Sequence, residues 1–349
     1  MTVDDVEPEV VVEERGRLGL LTLNRPKVIN ALTHTMISMI AEALDRWAAE
    51  DAIATVAVVG AGDRGFCAGG DVVGLYRDVT EGDGSGAAAF WRDEYAMNST
   101  IARYPKPIVA IQDGLVLGGG VGVSGHASHR VVTERSKLGF PEVTIGFIPD
   151  VGATWLLSRA PGELGTRLAL TAAMVGPADA ILVGLGDHFV ASERISDLLA
   201  ALEADDVETV IARFAGEPEA GILAGERDMT DRAFAGESVT EIIERLRAEG
   251  TQDALALADT IAEKPPLALA VTLEALRRAG RLGSLEEALV QEYRISRHGS
   301  MTHDFAEGIR AQLVDKDRNP QWSPPIHGDV TIADVAAFFE EPTEGDLHL

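Results

Sequence analysis

The sequence predicts an α/β protein in which strands and helices alternate over residues 1–195 and helices dominate the remainder. Three observations carry this. Two short apolar runs, "TVAVVGAG" (55–62) and "PIVAIQDG" (107–114), end in glycine and read as strands buried on both faces. Each is followed by a glycine-rich turn of the kind that leaves a strand and opens a helix. From about residue 195 the punctuation changes to helix caps and glycine stops.

The elements run in order. "VVVEERGRLGLLTLN" (10–24) alternates and breaks at Gly16, as a strand pair does. "THTMISMIAEALDRWAAED" (33–51) puts Ile37, Ile40, Ala41, Leu44 and Trp47 at helical spacing behind Thr33 as cap. "HRVVTERSKLGF" (129–140) reads as two further short strands. In the second half, capping boxes are expected from Ser238 to Glu241 and from Ser284 to Glu287. "PPLALAVTLEALRRAG" (265–280) starts on prolines and stops at Gly280. "GEPEAGILAGERD" (216–228) reads as a loop, and the tail after 341 as frayed. The expected organisation is a core over 1–195, an acidic helical insertion over 196–264, and a C-terminal helical region over 265–349 packing on the core.

At 349 residues, 46% apolar and 25% charged, the chain has the composition of a globular protein with a large core. Its net charge of −26 repels nucleic acid and anionic membranes, so neither is expected as a partner. The one cysteine, Cys67, allows no internal disulfide and suits a reducing compartment. The acidic start "MTVDDVEPEV" lacks the apolar segment of a secretory signal, and no apolar run approaches the roughly 20 residues of a membrane span. A cytoplasmic location is expected.

"LGFPEVTIGFIPDVGATW" (138–155) poses the chemical question: it reads as buried yet carries Glu142 and Asp150, each directly after a proline. Acids in apolar company are costly unless hydrogen-bonded, paired or at work. Two glycine turns, "GFCAGGDVVG" (65–74) and "GLVLGGGVGVSG" (114–125), can expose backbone N–H groups to a ligand. Two such groups aimed at one oxygen would form an oxyanion hole for a thioester or ester carbonyl. Gly120, Gly122 and Gly125 also match a dinucleotide-binding spacing, with Glu142 near the distance of a ribose-binding acid. The motif lies too deep in the chain, and the acid sits in a Pro-Glu turn, so nucleotide binding is disfavoured. Cys67 has no histidine near it in sequence and reads as a small buried residue. The eight histidines show no metal-ligand spacing, so no metal is expected.

"NRPKVINALT", "FCAGGD", "GLVLGGGVG" and "FPEVTIGFIPDVG", in that order, resemble the crotonase (enoyl-CoA hydratase/isomerase) superfamily, and within it the 3-hydroxyisobutyryl-CoA hydrolases. The likeness is close over about residues 10–195 and extends to "KPPLALAVTLEAL" and "DFAEGIRAQLVDKDRNPQW". It implies a crotonase-like spiral of ββα turns binding an acyl-CoA thioester, with coenzyme A as part of the substrate and no separate cofactor. By position, the N–H groups of Gly70 and Gly119 would form the oxyanion hole. Hydratases of this family carry a glutamate where this chain has Gly122; of their acid pair only Glu142 is kept. Asp150, and Glu94 in "WRDEYAMN", match acids lining the acyl pocket of the hydrolases. The resemblance thus implies hydrolysis of a short 3-hydroxyacyl-CoA, with Glu142 as nucleophile or general base, Asp150 holding the substrate hydroxyl or moving the proton, and Glu94 setting its orientation. An enoyl-CoA hydratase or isomerase, and a non-catalytic acyl-CoA-binding protein, are the alternatives. Arg25 and Lys27 are candidates for the nucleotide end of coenzyme A, and a homo-oligomer is possible.

Overall fold

The structure, a computed structural model, describes residues 7–349. The first residues of the acidic start, read above as lacking a secretory signal, lie outside the described residues. Strands β1 (Val10–Arg15) and β2 (Leu18–Leu23) form the expected antiparallel pair, turning at Gly16 with φ of 60°. The later strands come in couples: β3 (Thr55–Gly60) with β4 (Gly65–Cys67), β5 (Ile108–Gln112) with β6 (Leu115–Leu117), and β7 (His129–Val132) with β8 (Lys137–Gly139). β9 (Met174–Val175) and β10 (His188–Phe189) close the set.

The first strand of each couple joins one sheet, ordered β1-β2-β3-β5-β7-β10, and the second joins another, ordered β4-β6-β8-β9. A helix or helical turn comes after each couple, so the chain winds as a spiral of ββα turns. The sheet-to-sheet corners of neighbouring turns are in contact: a Cβ on Gly114, which has φ of 74°, would lie 2.8 Å from the Gly65 Cα. Only glycine suits that close approach and that φ.

Side-chain alternation along the parallel strands shows why both faces are apolar. Val56, Val58, Ile108 and Ala110 enter the main core, whereas Ala57, Val109 and Ile111 face the helices Ile195–Leu202 and Val207–Phe214. The acidic segment therefore starts as a cover for the outer face of the large sheet. Its remainder, the helices Leu223–Phe234, Val239–Glu249 and Gln252–Ala262, packs against Leu170, Leu269, Leu273 and Val143, the residue after Glu142.

Several local expectations need correction. The expected loop at 216–228 ends where the helix begins at Leu223, because the buried Asp179 carboxylate accepts the free N–H groups of Ile222 and Leu223. Ser238 and Ser284 cap their helices, but Glu241 and Glu287 reach the N–H of the residue before the cap, so neither box is reciprocal. The tail is not frayed: Leu347 is buried, and Asp346 and Glu344 pair with Arg294 and Arg297. No helix among the described residues is long and apolar enough to cross a membrane.

If the sheet depends on its acidic cover, Leu198→Ala should lower unfolding free energy by about 2–5 kcal/mol. A urea titration followed by circular dichroism would measure it; a loss below about 0.5 kcal/mol would show that the cover is dispensable.

Candidate active site

Strands β4, β6 and β8 run parallel and side by side, with Leu117 opposite Gly139, so the segments that leave their ends are neighbours. Those segments are Gly69–Gly70, Gly118–Gly119 and the turn that opens at Glu142. All five residues singled out in the sequence meet there: Gly70, Glu94, Gly119, Glu142 and Asp150 line one cavity of about 50 Å³. Phe90, Trp91, Phe147 and Phe305 supply its aromatic wall, with Trp91 stacked on Phe147 at 5.5 Å between ring centroids. Such a volume holds about one or two waters.

Gly70 lies just beyond β4, bridged to Leu32, and Gly119 opens the short helix Gly119–Ser124. Neither backbone N–H donates to any other described residue. The two lie close together, since a Cβ built on Gly119 would lie 3.2 Å from the Gly70 nitrogen.

Glu142 begins a 3-10 turn, Glu142–Ile145, that closes at Gly146 with φ of 73°. The helix His303–Ile309, from the "DFAEGIR" stretch, rests directly on this turn through two glycines. A Cβ on Gly308 would come within 2.4 Å of Ile145, and one on Gly146 within 2.3 Å of the Asp304 carbonyl oxygen. Gly118, with φ of 47°, leaves room for the carboxylate: a Cβ there would come 2.3 Å from Glu142 Oε1. Glu142 Oε2 is buried without a hydrogen-bond partner, and so is Glu94 Oε1.

Asp150 receives the Tyr95 hydroxyl on Oδ2 at 2.6 Å, and Ser296 Oγ lies 2.7 Å from the same phenol oxygen. Glu292 accepts from the N–H of Gly152 and Thr154 and from the Thr154 hydroxyl. Burial is the main influence on all four carboxyls. Burial, then the neighbouring Asp150, pushes Glu94 and Glu142 well above the usual carboxylate range. Burial raises Asp150 to about 7, held down somewhat by the Tyr95 donor, and raises Glu292 to about 8.

Tyr95, Glu292, Ser296 and Asn98 were not picked out from the sequence. A signal for two of them existed. The apolar stripe of the helix Leu285–Ser300, at 285, 288, 289 and 293, is interrupted at the same face by Glu292 and Ser296. Asn98 lies one turn after Glu94 with both amide atoms buried and unpartnered.

The other candidates divide. Arg25 is tied to the Ala31 carbonyl, Glu9 and Asp71, whereas Lys27 is exposed. Cys67 donates to the Asn30 carbonyl, and burial pushes its thiol up to about 12, so no thiolate is on hand. The nucleotide-like glycines serve close packing: a Cβ on Gly120 would strike the Cys67 carbonyl oxygen at 2.6 Å, and one on Gly122 would lie 2.8 Å from the Val151 Cβ and 3.0 Å from Asn98 Nδ2. Position 122 therefore has no space for a longer side chain.

Comparison with known proteins adds the family. Residues 18–339 match the family described as enoyl-CoA hydratase/isomerase. The chain belongs to that family. Among curated relatives, the mitochondrial 3-hydroxyisobutyryl-CoA hydrolase of Danio rerio is 39% identical over 98% of this chain and 92% of its own. The Homo sapiens protein of the same name is 37% identical over 98% and 91%. Two solved structures superpose over nearly the whole length. A carnitinyl-CoA dehydratase from Mycobacterium thermoresistibile is 50% identical with a TM-score of 0.94, covering 98% of this chain and 99% of its own. An enoyl-CoA hydratase from Rhodobacter sphaeroides 2.4.1 is 41% identical with a TM-score of 0.93, covering 98% and 100%.

The folded protein holds the Asp150 proton more tightly than the unfolded chain, so this group subtracts stability as pH rises from 3.8 to about 7 and by a constant amount above. Asp150→Asn keeps an acceptor for Tyr95 and removes the charge. Its melting temperature relative to wild type should rise across that window; a pH-independent difference would refute the shift.

Proposed function

We propose that the protein hydrolyses short 3-hydroxyacyl-CoA thioesters, with 3-hydroxyisobutyryl-CoA, an intermediate of valine breakdown, giving 3-hydroxyisobutyrate and free coenzyme A. One observation carries this reading: two unused backbone N–H groups, at Gly70 and Gly119, share a cavity with a carboxylate, Glu142, that has one oxygen free. The names of the curated hydrolases agree with it.

In this reading the thioester oxygen sits between the two N–H groups, which stabilise the negative charge that develops on it. Glu142 then acts in one of two ways. Its carboxylate attacks the carbonyl carbon, the C–S bond breaks, coenzyme A leaves as thiolate and takes up a proton, and water cleaves the resulting anhydride. Alternatively, Glu142 takes a proton from a water that attacks directly, and the same bond breaks. Trapping with hydroxylamine separates them, since only an anhydride gives an enzyme-linked hydroxamate. Asp150 receives the substrate hydroxyl and Glu94 orients it. Coenzyme A arrives with the substrate, and the reaction as written uses no further cofactor. The cytoplasmic location and a homo-oligomer belong to the same proposal, and the free, buried Cys67 is compatible with a reducing compartment.

The names of the similar solved structures favour a second reading, addition or removal of water at a double bond. The filled space beside Gly122 counts against it, because the second acid of a hydratase would need that space.

With 3-hydroxyisobutyryl-CoA the purified protein should release free thiol, and Glu142→Ala should lower the rate about 100- to 10,000-fold. Crotonyl-CoA should keep its enoyl absorbance. Loss of that absorbance without thiol release would favour the hydratase. Because Glu142 must be ionised to act and its pKa is raised, kcat/KM should fall as pH drops, with a midpoint above the usual carboxylate range. A midpoint near 4.5 would contradict the role given to Glu142.

A further inference from the structure

Asp150 sits on an unusual piece of backbone. Val151 and Gly152, the next two residues, both have positive φ, 57° and 81°. A β-branched residue in that region is strained, and such strain persists only where the surroundings fix it. Here they do. His126 Nε2 lies 2.8 Å from the Val151 carbonyl oxygen, and Glu292 receives the Gly152 N–H at 2.6 Å and the Thr154 N–H at 2.9 Å. The Asp150 side chain is held from the same direction. The Tyr95 hydroxyl, fully buried, donates to Oδ2, and with its proton so committed the phenol oxygen accepts from Ser296. Glu292 and Ser296 are one turn apart on the helix Leu285–Ser300. The helix thus grips both the backbone after Asp150 and, through Tyr95, one of its two oxygens, while the carboxylate lines the acyl cavity.

We propose that Tyr95, braced by Ser296, is the positioning residue that fixes Asp150 as the acceptor for the 3-hydroxyl of the substrate, so that selection of 3-hydroxyacyl over plain acyl thioesters is set from the helix Leu285–Ser300. This rests on the thioesterase reading above and goes beyond it in naming what enforces the hydroxyl requirement. A carboxylate with one oxygen fixed presents the other in one direction. Freed of Tyr95 it can turn, and a site built to bond a hydroxyl loses much of its advantage over an analogue lacking it.

The test compares 3-hydroxyisobutyryl-CoA with isobutyryl-CoA, which differs only in lacking the hydroxyl. Thiol release is followed for wild type, Tyr95→Phe and Ser296→Ala, with melting temperatures recorded alongside. Tyr95→Phe should lower kcat/KM on the hydroxylated substrate about 10- to 100-fold, as expected for losing a hydrogen bond to a charged group. That loss should exceed the loss on isobutyryl-CoA by about tenfold, and Ser296→Ala should show the same bias more weakly. On the hydroxylated substrate the limb contributed by Asp150, separate from that of Glu142, should also move to higher pH in Tyr95→Phe, because Asp150, facing Glu94, Glu142 and Glu292, loses its donor. Equal losses on both substrates would overturn the proposal and leave the thioesterase reading intact. A wild type that hydrolyses both equally would do the same. A wild type that releases thiol from neither would overturn both.

Discussion

Four carboxyl groups, Glu94, Glu142, Asp150 and Glu292, are buried at one place in this fold, and the charges that act on Glu94, Glu142 and Glu292 are those of other members of the group. Burial without counter-ions is the constraint the surrounding structure answers. Each acid must be protonated, receive donors, or keep an oxygen for something that binds. Glu292 takes three donors and is satisfied, and Asp150 takes one. Glu142 and Glu94 keep an oxygen unpartnered, and these two flank the bare amides. The fully satisfied Glu292 stands outside the cavity lining and holds the site, whereas Glu94, Glu142 and Asp150, each with fewer donors, line the cavity.

The spiral supplies the matching donors through strand register. Because β4, β6 and β8 are parallel and aligned, the ends of three successive turns come side by side, and the segment leaving each strand reaches the site without a long loop. Glycine is required at a few of these points for stated reasons. Gly118 must take a positive φ and leave space for Glu142, and Gly114 must allow two corners to touch. The helical second half then braces the arrangement from behind. Val143 is packed by the acidic segment, the Glu142 turn by the helix His303–Ile309, and the Asp150 loop by the helix Leu285–Ser300.

Much of this was legible in the chain. The strand runs ending in glycine, the two glycine turns and the two Pro-acid steps are local signals, and they point to the alternating core, to the two turns and to Glu142 and Asp150, whereas Glu94 and the choice of Gly70 and Gly119 within the turns rested on the family resemblance. The features that were not legible are mostly long-range. Tyr95 comes directly after Glu94, yet its value depends on Ser296, 201 residues away in sequence. Glu292 was not singled out from the sequence, and its contact with Gly152 and Thr154 is what shows its part. The two capping motifs misled for the opposite reason: the spacing was right, but each glutamate found the N–H one residue earlier. The tail seemed free because its anchors, Arg294 and Arg297, lie on a helix about 50 residues back.

The central claim is that the amides of Gly70 and Gly119 receive one carbonyl oxygen while Glu142 faces its carbon. A crystal structure with a non-hydrolysable ketone analogue of 3-hydroxyisobutyryl-CoA, a methylene inserted between sulfur and carbonyl, tests it directly. The account predicts the carbonyl oxygen about 2.7–3.1 Å from both nitrogens, with a Glu142 oxygen on the carbon's open face. A carbonyl bound elsewhere, or one touching neither amide, would contradict it.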